Sequence, residues 1–406
     1  MISVEKALQA VLSHSSTTSI VDMPLSASIG HLLAEDVVST ADSPPFDKAL
    51  LDGYAVLMAD LCGGKAELRV QEEVTAGMLP TMGLSSGFTT RVMTGAPLPS
   101  GTQAIVMVEE SNLLEQDGQQ WVRLSDKKIV PGRGVLKTGA AMRTGEVVLS
   151  RGVSIHPQQV GLLCELGRQQ VRVHASPRVA ILSTGNELVP IDQTPGPGQI
   201  RNSNGPMLAA LVTEQHAIPL EHGVVKDDKK CLHDAIGQAL EQADVVILSG
   251  GVSAGVLDLV PGVMSELKVK EVFHKVRLKP GKPLWFGTCK RDEKEKLVFG
   301  LPGNPVSAFV CYYLFVRPAL ARMLGHVATE TPTIVGKLAI EYAHRGPRPT
   351  FFPSLLQDNA GQQLVSPLPW QGSADLRSLA QANSLVHFPP GDYTYPAGKS
   401  VKIILV

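Results

Sequence analysis

Asp244-Val245-Val246-Ile247-Leu248-Ser249-Gly250-Gly251-Val252-Ser253 is an apolar run that ends in Ser-Gly-Gly. A short, β-branched apolar stretch bounded by glycines reads as a strand buried on both faces. Gly250 and Gly251 lack the side chains that would hold backbone N–H groups away from an anion, and Ser249 and Ser253 add hydroxyl donors. An ordinary tight turn between strand and helix has the same spelling. Two further segments share the rhythm. Residues 179–183 lead into Thr184-Gly185-Asn186-Glu187, and residues 297–299 lead into Gly300-Leu301-Pro302-Gly303-Asn304-Pro305, each with a helical pattern after it. Strand, glycine-bearing loop and helix repeated over residues 176–326 predict a parallel sheet covered by helices on both faces. Ligands collect at the carboxyl ends of such strands, so these three loops mark the candidate site.

Away from this region the texture changes. Val4, Ala7, Leu8, Val11 and Leu12 form one helical stripe behind Ser3 as N-cap. Residues 44–141 alternate short β-type runs (66–70, 88–93, 104–108, 121–124) with Gly and Pro clusters, which predicts an all-β insertion. A helix is expected from Pro157, with Gly167 as its stop. The two helical stretches flank the insertion, so residues 1–43 and 142–175 are expected to pack as one discontinuous domain. Residues 327–406 read as a small β domain.

Composition narrows the function classes. The 406 residues carry 37 Lys plus Arg against 38 Asp plus Glu, a net charge of −1, so any anion site must be local. With only 5 % aromatic residues, a stacking-based nucleic-acid reader is not expected. Five scattered cysteines without a Cys-x-x-Cys pair point to free thiols in a reducing compartment. Met1-Ile2-Ser3-Val4-Glu5-Lys6 has no secretory-signal pattern and no long uninterrupted apolar run follows, so a cytoplasmic protein without membrane contact is expected.

Charge is nonetheless concentrated near the loops. Lys275, Arg277 and Lys279 would share one face of a strand, and Pro280-Gly281 turns the chain so that Lys282 points back; an aggregation-resistant edge strand is the alternative. Glu187 closes the first loop, Asp227 and Asp228 end a strand, and Asp258 follows the Ser-Gly-Gly loop. Carboxylates beside an anion cleft suit Mg²⁺ bridging protein and phosphate, although each also fits a helix cap or surface charge.

Six strings, in order, resemble the molybdopterin molybdenumtransferase family, the MoeA type shared with the C-terminal domain of gephyrin. They are Pro44-Pro45-Phe46-Asp47 with Leu51-Asp52-Gly53-Tyr54-Ala55; Met93-Thr94-Gly95-Ala96-Pro97; Ser183-Thr184-Gly185-Asn186-Glu187-Leu188; Ser249-Gly250-Gly251-Val252-Ser253; Lys279-Pro280-Gly281-Lys282-Pro283; and Leu301-Pro302-Gly303-Asn304-Pro305-Val306-Ser307. The resemblance implies a multidomain α/β plus β protein. Its parts would be a small helical domain, an elongated β insertion, a three-layer α/β molybdopterin-binding domain and a C-terminal β-barrel. It implies a homodimer whose cleft takes Asp52 and Thr94 from the β insertion of one subunit. The implied reaction converts adenylylated molybdopterin and molybdate, with Mg²⁺, into molybdenum cofactor and AMP, with a molybdopterin adenylyltransferase as substrate donor. Asp52, Thr94, Glu187, Asp228, Asp258, Lys275 and Lys279 would be catalytic. Ser249, Gly250, Gly251, Ser253, Lys282, Pro302, Gly303, Asn304, Pro305, Arg348 and Ser373 would bind substrate, and Asp228, Asp258 and Glu187 would hold the metal. The sequence departs from the family pattern at Leu136 to Ala141, where an Arg and a Gly-Glu-Asp are usual, at Val256 and at Pro353. These departures keep open a non-catalytic or weakly active molybdopterin-binding paralogue or scaffold.

Overall fold

The computed structural model describes residues 1–251, 259–291, 294–329 and 331–406. Two compact units account for the chain: Met1–Ala34 with Gly152–Val160 and Gln169–Val406, and Glu35–Arg151 with Gly161–Arg168.

The first unit is built on a six-stranded sheet. Its strands are β1 (Arg178–Thr184), β2 (Ile218–Val225), β3 (Val245–Ser249), β4 (Lys270–His274), β5 (Trp285–Arg291) and β6 (Lys294–Leu301), in the order β2-β1-β3-β6-β5-β4. Strands β2, β1, β3 and β6 are parallel, as the sequence predicts, whereas β5 and β4 complete the sheet antiparallel. Alternate residues of each strand feed two cores. Val179, Ile181, Val245, Ile247 and Phe299 pack on helix α1 (Asn204–Glu214) and on the long helix α3 (Pro305–Met323). Ala180, Leu182, Val246, Leu248 and Val298 pack on α2 (Lys229–Gln242) and Val260–Glu266. Each large apolar side chain removed from water this way contributes about 1.5–3 kcal/mol, which is why the continuous apolar strands were readable. Helix α3 is long and apolar enough to cross a membrane, but 78 % of its apolar window is buried inside this unit.

The N-terminal helix forms at Val4–His14, and Ser3 Oγ accepts from the Lys6 N–H, the cap expected from sequence. Ala7 and Val11 join the α/β core beside Phe286 and Val316. The second helix spans Pro157–Glu165. Residues 333–405 close into a barrel of five strands, Thr333–Leu338, Gln362–Pro367, Thr350–Asn359, Ser384–Phe388 and Ser400–Leu405, around Phe352, Val386, Phe388 and Ile403.

The second unit holds another six-stranded sheet, ordered Ala104–Met107, Gly53–Val56, Phe88–Val92, Lys65–Val74, Gln119–Ser125 and Ser111–Gln116. Tyr54, Val106, Val122 and Leu124 fill one core, and Ala49, Ala55, Val92 and Ile105 another. The four β runs read from sequence all fall on these strands.

Candidate functional site

Register decides where the turns lie. Ser183 of β1 pairs with Ser249 of β3, and Ser249 pairs with Leu301 of β6, so all three loops leave neighbouring strands at one level. The sheet reverses its winding direction between β1 and β3, the place where an open α/β sheet leaves a crevice. A cavity of about 730 Å³ opens there, lined by Thr184, Gly185 and Glu187, by Ser249 to Gly251, and by Pro302 to Pro305.

The glycines are dictated by space. Gly250 has φ +97°, and a Cβ there would lie 2.6 Å from the Thr184 carbonyl oxygen. Gly251 has φ +65°, and its Cβ would meet Thr184 Oγ1 at 2.8 Å. Only residues without a side chain bring this turn so close to β1. Asn204, at the start of α1, binds the turns together: its Nδ2 donates to Ser249 Oγ at 2.7 Å and to the Gly303 carbonyl at 2.8 Å. Asn304 Nδ2 donates to Ser373 Oγ at 2.8 Å, and the Val306 N–H donates to the Ser373 carbonyl. Ser373 is thereby fixed against the Pro302–Pro305 turn, as its assignment to the substrate site requires.

The acids separate. Glu187 and Asp227 both line the cavity. Loss of surrounding water first, and the Glu187 charge second, push the Asp227 carboxyl above its ordinary range. Asp228 does something else: it is the N-cap of α2, its Oδ1 accepting from the Cys231 N–H at 3.0 Å. That bond holds its carboxyl below the ordinary range. Of the two adjacent acids, Asp227 is the one that lines the cavity with Glu187, while Asp228 caps α2. Ser253, Val256 and Asp258 lie outside the described residues. Among the described residues, no three His, Cys, Asp or Glu side chains are grouped as a complete metal shell.

The basic stretch is not the regular strand expected from sequence. Strand β4 stops at His274, and Lys275 adopts φ +69°, which breaks the pleat. Alternation nevertheless persists: Val276 and Leu278 are fully buried while Arg277, Lys279 and Lys282 are exposed. Lys279 is paired through its backbone with residues 349 and 351, and Arg348 Nη1 donates to the Leu278 carbonyl at 2.9 Å. Lys279 and Arg348 thus belong to one pairing of backbone segments. Neither lines the cavity, nor do Lys275 and Lys282; Pro283 and Arg201 do.

In the second unit Asp52 and Thr94 meet. Asp52 Oδ1 accepts from the Thr94 N–H at 2.6 Å and from Thr94 Oγ1 at 2.7 Å, which holds its carboxyl below the ordinary range. In the divergent stretch, Lys137 and Thr138 instead bind Asp47.

Known proteins share this arrangement. The sequence matches the MoeA N-terminal region (domains I and II) over residues 2–167, a probable molybdopterin binding domain over 180–322, and the MoeA C-terminal region (domain IV) over 335–406. The molybdopterin molybdenumtransferase of Staphylococcus aureus is 32 % identical over 411 residues, covering all of this chain and 95 % of that protein. The Bacillus subtilis protein of that name is 31 % identical over 386 residues, covering 94 % of this chain and 89 % of its own length. The chain belongs to the MoeA family. Two structures of the molybdopterin biosynthesis MoeA protein of Pyrococcus horikoshii match this MoeA chain with TM-scores of 0.85 and 0.82, at 32 % and 31 % identity. They cover all of it and 99 % and 100 % of themselves. Asn204 and Arg201 were not singled out from sequence. In Arg201-Asn202-Ser203-Asn204-Gly205 the asparagine spells a helix start, and nothing local reveals that its amide reaches two other loops.

Proposed function

We propose that this MoeA chain inserts molybdenum from molybdate into adenylylated molybdopterin, releasing AMP and molybdenum cofactor. One observation carries the reading: three turns from strands in register surround a single cavity, and Asn304 on its wall binds Ser373. The Ser249–Gly251 turn and the first turn of α3 suit the phosphates of the substrate through N–H groups other than those of Gly250 and Val306, which donate to the Leu301 and Ser373 carbonyls. Arg201 adds a positive charge at the same wall. Lys279, Lys282 and Arg348 suit molybdate, a tetrahedral dianion that needs several convergent donors. No side-chain nucleophile is required. The substrate's sulfurs take the metal, and the chain positions the reactants and neutralises charge.

Glu187 and Asp227 fit Mg²⁺, because two carboxylates on one cavity wall plus substrate oxygens are the usual donor set, and loss of water first and the Glu187 charge second raise the Asp227 carboxyl. When bound, the ion would supply positive charge at the phosphoanhydride. Asp52, held ionised by Thr94, serves the same reaction in this proposal, which also includes the homodimer and a molybdopterin adenylyltransferase as donor. All five cysteines are free, which supports a cytoplasmic setting. The test is incubation with adenylylated molybdopterin, molybdate and Mg²⁺, followed by chromatography. AMP release is expected; recovery of intact substrate would overturn the reading. Sedimentation in the same buffer tests the dimer.

A further inference from the structure

We propose that Asn204 is a positioning residue, one amide group that holds the Ser249–Gly251 and Pro302–Pro305 turns in a fixed relation at the phosphate end of the cavity. The inference deepens the function proposed above and rests on it.

The sheet ladder between β3 and β6 ends at the pair Ser249 and Leu301. Beyond it the Gly250 N–H still donates to the Leu301 carbonyl at 3.1 Å. Asn204 adds the link that reaches furthest into the second turn, through its two bonds from Nδ2. The chain of contacts then continues. Gly303 leads to Asn304, whose amide binds Ser373, so two asparagines and two serines are connected across four separate segments. Asn204 and Ser249 are 7 % and 2 % exposed, so water does not compete for these bonds.

Stability alone would not choose this residue. Asn204 Oδ1 is buried and has no hydrogen-bond partner, an unmet acceptor that a leucine of similar size would not bring. Nor does the side chain cap its own helix, since α1 begins without a side-chain cap bond. What the amide supplies, and leucine cannot, is two donors aimed at two different turns.

The experiment uses full-length Asn204→Leu, Asn204→Asp and Ser249→Ala chains. It measures steady-state kinetics with adenylylated molybdopterin, melting temperature, and hydrogen exchange at the amides of Gly250, Gly251 and Gly303. In Asn204→Leu the loss of the unmet Oδ1 offsets the donor lost by Ser249 Oγ and the Gly303 carbonyl, so the melting temperature should change by no more than a few degrees, and exchange at those three amides should quicken. The KM should rise about tenfold with kcat within about twofold, the size expected when the two hydrogen bonds of one amide no longer organise bound and transition states alike. Asn204→Asp turns an oxygen onto the Gly303 carbonyl and adds negative charge near the phosphates, so its KM should rise further. Ser249→Ala should raise KM about two- to threefold, and in the Asn204→Leu background it should add nothing. An unchanged KM with unchanged exchange would overturn the proposal. So would a larger fall in melting temperature with exchange faster throughout the core, or additivity in the double variant. If the wild-type chain releases no AMP, the functional reading fails, and the exchange data still judge Asn204.

Discussion

Replacing Gly250 by alanine tests the geometric basis of the site most directly. The new Cβ would lie 2.6 Å from the Thr184 carbonyl oxygen and 3.1 Å from Thr184 Oγ1, and the backbone φ of +97° already disfavours any side chain. Holding an L-residue in a left-handed conformation costs about 1–2 kcal/mol, and overpacking against backbone that cannot swing aside costs about 1–3 kcal/mol. Part of that sum is relieved if the turn moves. A net loss of about 2–4 kcal/mol corresponds to a melting temperature lower by about 3–7 °C for a unit of this size. The displaced turn no longer presents its amides to the phosphate, so the KM for adenylylated molybdopterin should rise at least as much as in Asn204→Leu. Gly303→Ala is the control, because the nearest atom to its Cβ is Gly250 Cα at 3.7 Å and its φ is not in the left-handed region. It should keep the wild-type melting temperature. Scanning calorimetry with kinetics decides the matter. A Gly250→Ala chain as stable and as tight-binding as wild type, or a Gly303→Ala chain equally destabilised, would refute the reasoning.

Three other perturbations separate the roles assigned to the charged groups. Asp227→Asn should raise the melting temperature at pH 7.5 by roughly a degree or two while lowering activity at least tenfold. The folded-state pKa of Asp227 is raised, so its contribution to stability is present in acid and lost as pH rises through that pKa; the gain from asparagine should therefore vanish below about pH 4. Thr94→Val removes the hydroxyl bond that, with the Thr94 N–H, keeps Asp52 ionised, so the acid limb of the pH–rate profile should move to higher pH, with no change in melting temperature above about 2 °C. An unmoved limb would remove Asp52 from the mechanism. Lys279→Ala and Lys282→Ala should raise the molybdate requirement about tenfold or more with molybdopterin binding within about twofold, as expected from losing a charged donor to one substrate only. Equal loss of both, seen by titration, would count against that assignment.

The parallel core was legible because burial on two faces forces continuous apolar strands, and residues 179–183 and 245–248 spell them plainly. The loops were legible because glycine and proline have few reasons to cluster at strand ends. The antiparallel strands β4 and β5 were not. Trp285–Arg291 mixes apolar and charged residues, and the basic residues Lys275, Arg277 and Lys279 alternate like a strand even though Lys275 bends the chain out of the pleat. Asp227 and Asp228 could not be separated by spelling, since adjacent carboxylates differ only in which one meets the first turn of α2. Asn204 was hidden for a different reason. Its partners lie 45 and 99 positions along the chain, and a local reading of a helix start has no access to them.

The cavity gathers features that each cost stability where they stand. Gly250 and Gly251 adopt left-handed backbone against Thr184; Ser183 Oγ, Thr184 Oγ1 and Asn204 Oδ1 are buried without partners; Glu187 and Asp227 set like charges side by side. None of these recurs together elsewhere among the described residues, and the two cores directly beneath, with Ile181, Leu182, Ile247, Leu248 and Phe299 essentially removed from water, are where the compensating burial is densest. A fold selected only for stability would relax such a concentration, since alanine-compatible turns, apolar side chains and separated charges are all more favourable locally. That the unfavourable choices converge on one wall of one sheet locates the functional centre by physics alone. The turns held by Asn204, rather than any single charged residue, are therefore where substitutions should lower affinity most.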